Sequence, residues 1–249
     1  MSRLCVLKRF GFSALAAAGL LMATSSPALA QASVSAGVDF TNNYIFRGLP
    51  QTKDFVSSQP WIEVGADVSD TVSVAIGSWN SIFDAPDGSP GAFYESDFYV
   101  SASMAAGPVG VDVGYTVYMS PSDWWDPAVQ EIGLGFSFDS PIAPYASFAF
   151  EVDGGADAGD GKGSYLELGI EPAYGPMTFP VALGLSLNNY YETSPGEDNT
   201  YGFFSAGVTA AAPVNDYVEL WGGVSVVHLG EYGGDTAQAV VSFGLSVSN

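Results

Sequence analysis

The chain has 249 residues and a formal net charge of −21 at pH 7, with six Lys and Arg against 27 Asp and Glu. So acidic a chain excludes nucleic acid as a partner, because phosphate binding needs a basic face. An apolar content of 47% and an aromatic content of 14% exclude an acidic disordered chain as well, so the charge decorates a folded object.

Arg3, Lys8 and Arg9 precede an apolar run from Gly11 to Ala23, and small residues ending in Ala28, Leu29 and Ala30 follow it. This order is that of a secretory signal peptide cleaved after Ala30; the run is shorter than the roughly 18 residues a membrane helix needs. Residues 1–30 are therefore expected to be the signal and residues 31–249 one β-barrel domain. Cleavage would remove Cys5, the single cysteine, and leave neither disulfide nor thiol chemistry. It would also leave Arg47, Lys53 and Lys162 as the only cations against all 27 acids, a net charge of −24. No later segment is uniformly apolar over a helical span, so membrane insertion requires strands.

The first strand is expected from Ser35 to Arg47, with Ser35, Asp39, Thr41, Asn43 and Arg47 on one face and Val34, Val38, Phe40, Tyr44 and Phe46 on the other. Pro50 to Ser58 follows as a loop, and Ile62, Val64, Ala66 and Val68 then oppose Glu63, Gly65 and Asp67. Ser69 and Asp70 make a tight return to Val72, Val74 and Ile76, and Asp84 to Gly91 is a longer loop rich in Pro, Gly and Asp. Asp97 to Ala105, Val109 to Tyr118, Glu131 to Asp139 and Ala146 to Glu151 continue the alternation. Leu166 to Glu171, Phe179 to Leu187, Phe204 to Ala210, Val218 to Val226 and Val241 to Val247 complete it. Trp124 and Trp125, in the loop from Ser120 to Pro127, are expected at the membrane interface, with packing within the loops as the alternative.

This yields an all-β chain: a transmembrane antiparallel up-and-down barrel of about twelve strands, with short returns alternating with longer loops. A soluble sandwich would also show short alternating strands, but it requires neither an even count nor both termini on the short-turn side.

The run Asn43-Tyr44-Ile45-Phe46-Arg47-Gly48, followed by Gln51-Thr52, resembles the opening motif of the TorF-type porins, proteobacterial proteins also catalogued as Gcw_chp proteins of unknown function. Gln59-Pro60, Gly77-Ser78-Trp79-Asn80, Glu95-Ser96-Asp97-Phe98-Tyr99 and Asp112-Val113-Gly114-Tyr115 extend the resemblance through the first half. Pro50 departs from a more usual serine, and the chain ends on Asn249 rather than the common aromatic. The resemblance implies an outer-membrane location and a pore; it brings no catalytic residue or substrate.

Strand parity directs Asp39, Glu63, Asp67, Asp97, Asp112, Glu131, Glu151, Glu167 and Glu219 into the lumen, with Arg47 at its top. Small inward residues leave room for water, whereas Trp61, Trp79, Tyr99, Tyr118, Tyr145, Tyr165 and Trp221, also inward, could close a narrow barrel. The expected function is a monomeric outer-membrane porin passing small solutes or cations through an acidic lumen; the alternative is a structural or surface-interaction barrel with an occluded lumen. Lipid and small cations are the expected partners, with no cofactor and no metal site. His228 is the only histidine, at the start of a loop expected from His228 to Asp235, and Ser225 lies on the opposite face, so hydrolytic chemistry is not expected. Asp153, Asp157 and Asp160 lack the alternating ligand spacing of a calcium loop and read as a solvated acidic segment.

Overall fold

The computed structural model describes residues 32–52, 55–83, 92–123, 125–126, 128–154, 162–192 and 197–249. The expected signal, Lys53, the loop at residues 84–91, Trp124, Asp157 and Asp160 lie outside them. The strands in chain order are β1 (Ala32–Thr41), β2 (Ile45–Phe46), β3 (Leu49–Pro50), β4 (Ser57–Ser69), β5 (Val72–Phe83), β6 (Ala92–Ala106), β7 (Val109–Met119) and β8 (Val129–Phe138). They continue as β9 (Pro144–Asp153), β10 (Ser164–Ile170), β11 (Ala173–Tyr174), β12 (Met177–Thr178), β13 (Val181–Asn188), β14 (Tyr201–Pro213), β15 (Val218–Leu229) and β16 (Ala237–Ser248).

Twelve of these, β1, β4 to β10 and β13 to β16, pair antiparallel with their chain neighbours, and β1 pairs with β16 to close the barrel. Closure gives every edge backbone group a partner, the condition for strands to exist in lipid. The last residue strengthens the seam: Val34 N–H donates to Asn249 Oδ1 at 2.8 Å, and Asn249 N–H returns a bond to the Val34 carbonyl at 3.3 Å. The β11–β12 pair is a small hairpin extending the connection between β10 and β13.

Side-chain parity separates the two faces of the wall. Val34, Val64, Ile76, Val100, Tyr115, Ile132 and Phe150 stand opposite one another in register across seven successive strands, and all but Phe150 are exposed. A continuous outward row of large apolar side chains is what a lipid-facing band requires. The next positions along the strands turn inward, and there Glu63, Gly77, Tyr99, Thr116, Glu131 and Glu151 form a polar row in the same way.

Four of the inward aromatics lie over glycines of a neighbouring strand, while Trp79, Tyr118 and Tyr165 pack around β2. Trp61 lies opposite Gly37, Tyr99 opposite Gly77, Tyr145 opposite Gly169 and Trp221 opposite Gly244. In each pair the ring occupies the space a glycine side chain would have taken; a Cβ on Gly37 would come within 2.7 Å of the Trp61 ring. The rings thus pave the wall, and their polar atoms reach neighbouring acids. Trp221 Nε1 donates to Asp39 Oδ1 at 2.7 Å, Trp61 Nε1 to Asp39 Oδ2 at 3.2 Å, and Tyr145 Oη to Glu167 Oε1 at 2.8 Å.

Two expected boundaries are corrected. β1 ends at Thr41, so Asn43 to Arg47 does not continue it; β2 and β3 form a separate two-stranded sheet within the segment expected to be strand end and loop. His228 is not in a loop but on β15, where it is exposed and its Nδ1 lies 3.1 Å from the Tyr201 hydroxyl.

Candidate functional site

The β2–β3 hairpin is the feature that distinguishes one end of the barrel from the other. Phe46 pairs with Leu49 across a two-residue turn in which Arg47 has φ 48° and Gly48 φ 79°. Positive φ at both central residues defines a type I′ turn, the form that suits a tight hairpin. Gly48 is required there on two counts: its φ strains any side chain, and a Cβ would stand 2.8 Å from Phe203 Cβ and 2.9 Å from the Gly202 carbonyl oxygen. Arg47 accepts the less favourable conformation because both its ends are held.

The base of the hairpin is closed by the residues of the opening motif. The Tyr44 carbonyl accepts from Gln51 N–H at 2.7 Å and from Thr52 N–H at 3.2 Å, and Tyr44 N–H donates to Thr52 Oγ1 at 2.8 Å. Thr52 is only 2% exposed, so its hydroxyl is the sole practical acceptor for that buried N–H. Gln51 ties the hairpin to the wall by accepting from the Tyr94 hydroxyl at 2.6 Å.

The hairpin packs on both faces against the inside of the barrel. Ile45 joins a buried cluster with Tyr165, Tyr190, Tyr191, Phe203 and Leu229, and Leu49 packs against it. Tyr44 and Phe46 join a second cluster with Phe83, Tyr94, Tyr118 and Val129. Trp125 packs against this second cluster, edge-on to Tyr94, as the loop-packing alternative expects. These clusters belong to the strand ends that carry the longer loops, so the hairpin packs inside the barrel at that end.

Arg47 sits between the clusters, 6% exposed. Its Nη1 and Nη2 donate to Glu131 Oε1 and Oε2 at 2.7 and 3.0 Å, a two-pronged ion pair, and Nη1 also donates to Tyr190 Oη at 2.8 Å. Tyr118 Oη fixes the carboxylate from the other side by donating to Oε2 at 2.8 Å. The guanidinium carbon lies 4.7 Å from the ring centres of both Phe46 and Tyr165 and 5.3 Å from that of Tyr190. Its backbone carbonyl accepts from Tyr191 Oη at 2.7 Å. Burial is the largest single influence and opposes the Arg47 charge, but the Glu131 carboxylate and the Tyr190 and Tyr118 hydroxyls together outweigh it and hold the guanidinium pKa well above its ordinary value. Tyr44, on the same hairpin, is kept neutral first by burial and then by the neighbouring Glu95 and Asp97 carboxylates, which raise its pKa.

Of the residues expected in the lumen, Arg47 and Glu131 meet directly, and Asp97 is buried at the same end, opposite Tyr118 and Trp79 in register. Glu151 is buried beside Glu131 and accepts from Gly163 N–H at 2.6 Å. The others lie away from the hairpin. Asp39 holds the two indoles, Glu63 and Glu167 accept from tyrosines, Asp112 accepts from Ser103 Oγ at 2.5 Å, and Asp67 is exposed near the short turn after β4. Glu219 lies at the short-turn end of β15, partly exposed. Glu95 and Thr52 entered the sequence reading only as motif residues, and Tyr190 and Tyr191 did not enter it. Glu95 shares the parity of Asp97, and only the late placing of the start of β6 concealed it. Asp153 lies 3.9 Å from Lys162, both exposed, and no group of three potential metal ligands occurs among the described residues.

The barrel is similar to outer membrane phospholipase A from Escherichia coli, at 11% identity over 86% of this chain and 89% of that one, with a TM-score of 0.51. It is equally similar to a Salmonella typhi outer membrane phospholipase dimer with bound calcium, at 11% identity over 86% and 90% of the two chains and a TM-score of 0.51. At such identity the likeness shows the fold alone. No curated protein matches the sequence. A family model does match, over residues 25–215, which takes in the β2–β3 hairpin and ten of the twelve barrel strands; the chain belongs to the Gcw_chp family, bacterial proteins of unknown function.

Proposed function

We propose that the protein is an outer-membrane porin for small cationic solutes, monomeric and without catalytic activity, whose loop-side mouth is shut by the Arg47 hairpin. The observation that carries this reading is the contrast between the two halves of the lumen. Around the hairpin Thr52, Ser57, Ser81, Asp97, Tyr165 and Tyr191 are almost fully buried, whereas toward the short turns the inward residues Glu63, Ser101, Ser103, Ser147, Ser205 and Thr209 keep part of their surface open, and burial there is confined to wall-lying groups such as Asp39, Asp112, Trp221 and Ser225. Small inward side chains and wall-hugging rings leave space for water in that half. The closing element is a separate sheet rather than part of the wall, so it can move without breaking a barrel strand.

A second reading has its own support: a barrel permanently filled by the hairpin and serving as a structural or surface-interaction protein. Packing on both hairpin faces favours it. Planar-bilayer recording separates the two. Wild-type protein is expected to conduct rarely, and a barrel with Ile45–Pro50 replaced by a short Gly-Ser link should conduct steadily. A wild-type barrel that never conducts, beside a link variant that does, would leave the permanently filled barrel as the reading, and a folded link variant that stays silent would overturn the hairpin as the closing element.

A further inference from the structure

The receptor that holds Arg47 is built almost wholly from the wall. Glu131 stands on β8, Tyr118 on β7, Tyr165 on β10, and Tyr190 follows β13; of the groups around the guanidinium only Phe46 comes from the hairpin itself. The wall therefore carries a complete recognition site for a planar cation. It offers a carboxylate whose two oxygens match the guanidinium fork, a phenol oxygen accepting a third N–H, and an aromatic face to lie against. Tyr118 fixes the carboxylate independently of the hairpin.

Withdrawal of the hairpin would leave the Glu131 carboxylate, still held by Tyr118, with no cation beside it. Beyond Arg9 the sequence has only Lys53 and Lys162 besides Arg47, and Lys162 is exposed beside Asp153. A carboxylate fixed by one tyrosine, with a second phenol oxygen and an aromatic face beside it, still presents the geometry that favours a planar cation, so the vacated site would draw in another one. From this we infer that the Glu131, Tyr118, Tyr165 and Tyr190 cage is a binding site for small guanidinium-bearing solutes, which Arg47 occupies as a built-in substitute for the ligand. Such a solute would compete with the hairpin and hold the barrel unplugged. The inference rests on the plug being displaceable, and it names the class of solute the site would select.

The test is chemical rescue of Arg47→Ala by methylguanidinium chloride, read without any measurement of current. The folded variant in detergent should unfold at a higher temperature with methylguanidinium than with sodium chloride of equal ionic strength. Tetramethylammonium, which has charge but no N–H, should fail to reproduce the shift. The double variant Arg47→Ala, Glu131→Gln should lose it. Should Arg47→Ala refold poorly, the refolded yield becomes the readout: recovery by methylguanidinium alone supports the cage. An equal response to sodium, or a response that survives Glu131→Gln, overturns it. Because binding is scored in detergent, rescue in a barrel that never conducts would uphold the cage while refuting the porin, and the reverse result would do the opposite.

Discussion

Tyr99 on β6 donates its hydroxyl to Glu63 on β4 at 3.1 Å, spanning the whole width of β5 because the residue between them is Gly77. The same arrangement recurs at the seam, where Trp221 on β15 reaches Asp39 on β1 across Gly244 on β16. Acid, glycine and aromatic stand in one row on three adjacent strands, so the ring shields the bare backbone and the acid orients the ring.

Gly77→Val should therefore disrupt more than one strand. Its Cβ alone would lie 2.8 Å from the Ile62 carbonyl oxygen and closer still to the Tyr99 ring, which must then leave the wall. Overpacking of this kind costs about 1–3 kcal/mol. Tyr99→Phe removes only a hydrogen bond and should cost about 1 kcal/mol. Urea unfolding in detergent micelles would rank them, and a Tyr99→Phe barrel as unstable as Gly77→Val would show that the bond to Glu63 rather than the ring's place on the wall is what matters.

Thr52→Val tests the base of the hairpin. The substitution keeps the shape but strips Tyr44 N–H of its acceptor, and a buried unsatisfied donor costs about 1–3 kcal/mol. Thr52→Ser retains the oxygen and should behave almost as wild type. Proteolysis of the folded barrel is the readout, with cleavage after Arg47 by trypsin expected for Val and not for Ser.

Much of the wall was legible from the sequence because a barrel strand has two unlike surroundings, lipid and lumen, and period two reports them directly. Val109 to Tyr118 is the clearest instance, with Val111, Val113 and Tyr115 outward and Asp112, Thr116 and Tyr118 inward and buried. Parity fails where the chain leaves the wall. Asn43 to Arg47 still alternates, since Ile45 and Phe46 form a strand, but that strand has a buried cluster on each side and neither faces lipid. Nothing local told Arg47 in a hairpin turn from Arg47 on a wall strand; its partner Glu131 is 84 residues away in sequence. The pairing of Trp61 with Gly37 was illegible for the same reason, because register between distant strands decides which glycine an aromatic covers.

Gly48→Ala should loosen the plug with little effect on the wall. Ala at φ 79° is strained, and its methyl group meets Phe203 and the Gly202 carbonyl, so the hairpin cannot seat Arg47 against Glu131. The expected outcome is a barrel that still shifts on heating in a detergent gel, as closed barrels do, yet conducts more often than wild type. Loss of the heat-dependent shift would mean that the hairpin is needed for the barrel itself.

Ion selectivity of the loosened barrel follows from how the lumen acids are held. Glu63 and Glu167 accept hydrogen bonds from Tyr99, Tyr145 and Tyr165, and Asp112 accepts from Ser103; all of these donors are neutral, so they orient the carboxylates without cancelling their charge. Arg47 is the one cation the described residues place inside, and it is paired with Glu131. Carboxylates between low-dielectric walls concentrate cations and exclude anions. A salt gradient across a bilayer containing the Gly48→Ala barrel should thus give a reversal potential of cation-selective sign. Glu63→Gln, Asp112→Asn and Glu167→Gln combined should move it toward zero, and Arg47→Gln should move it further in the cation-selective direction by leaving Glu131 unpaired. An anion-selective Gly48→Ala barrel would mean that these acids do not line the path ions take.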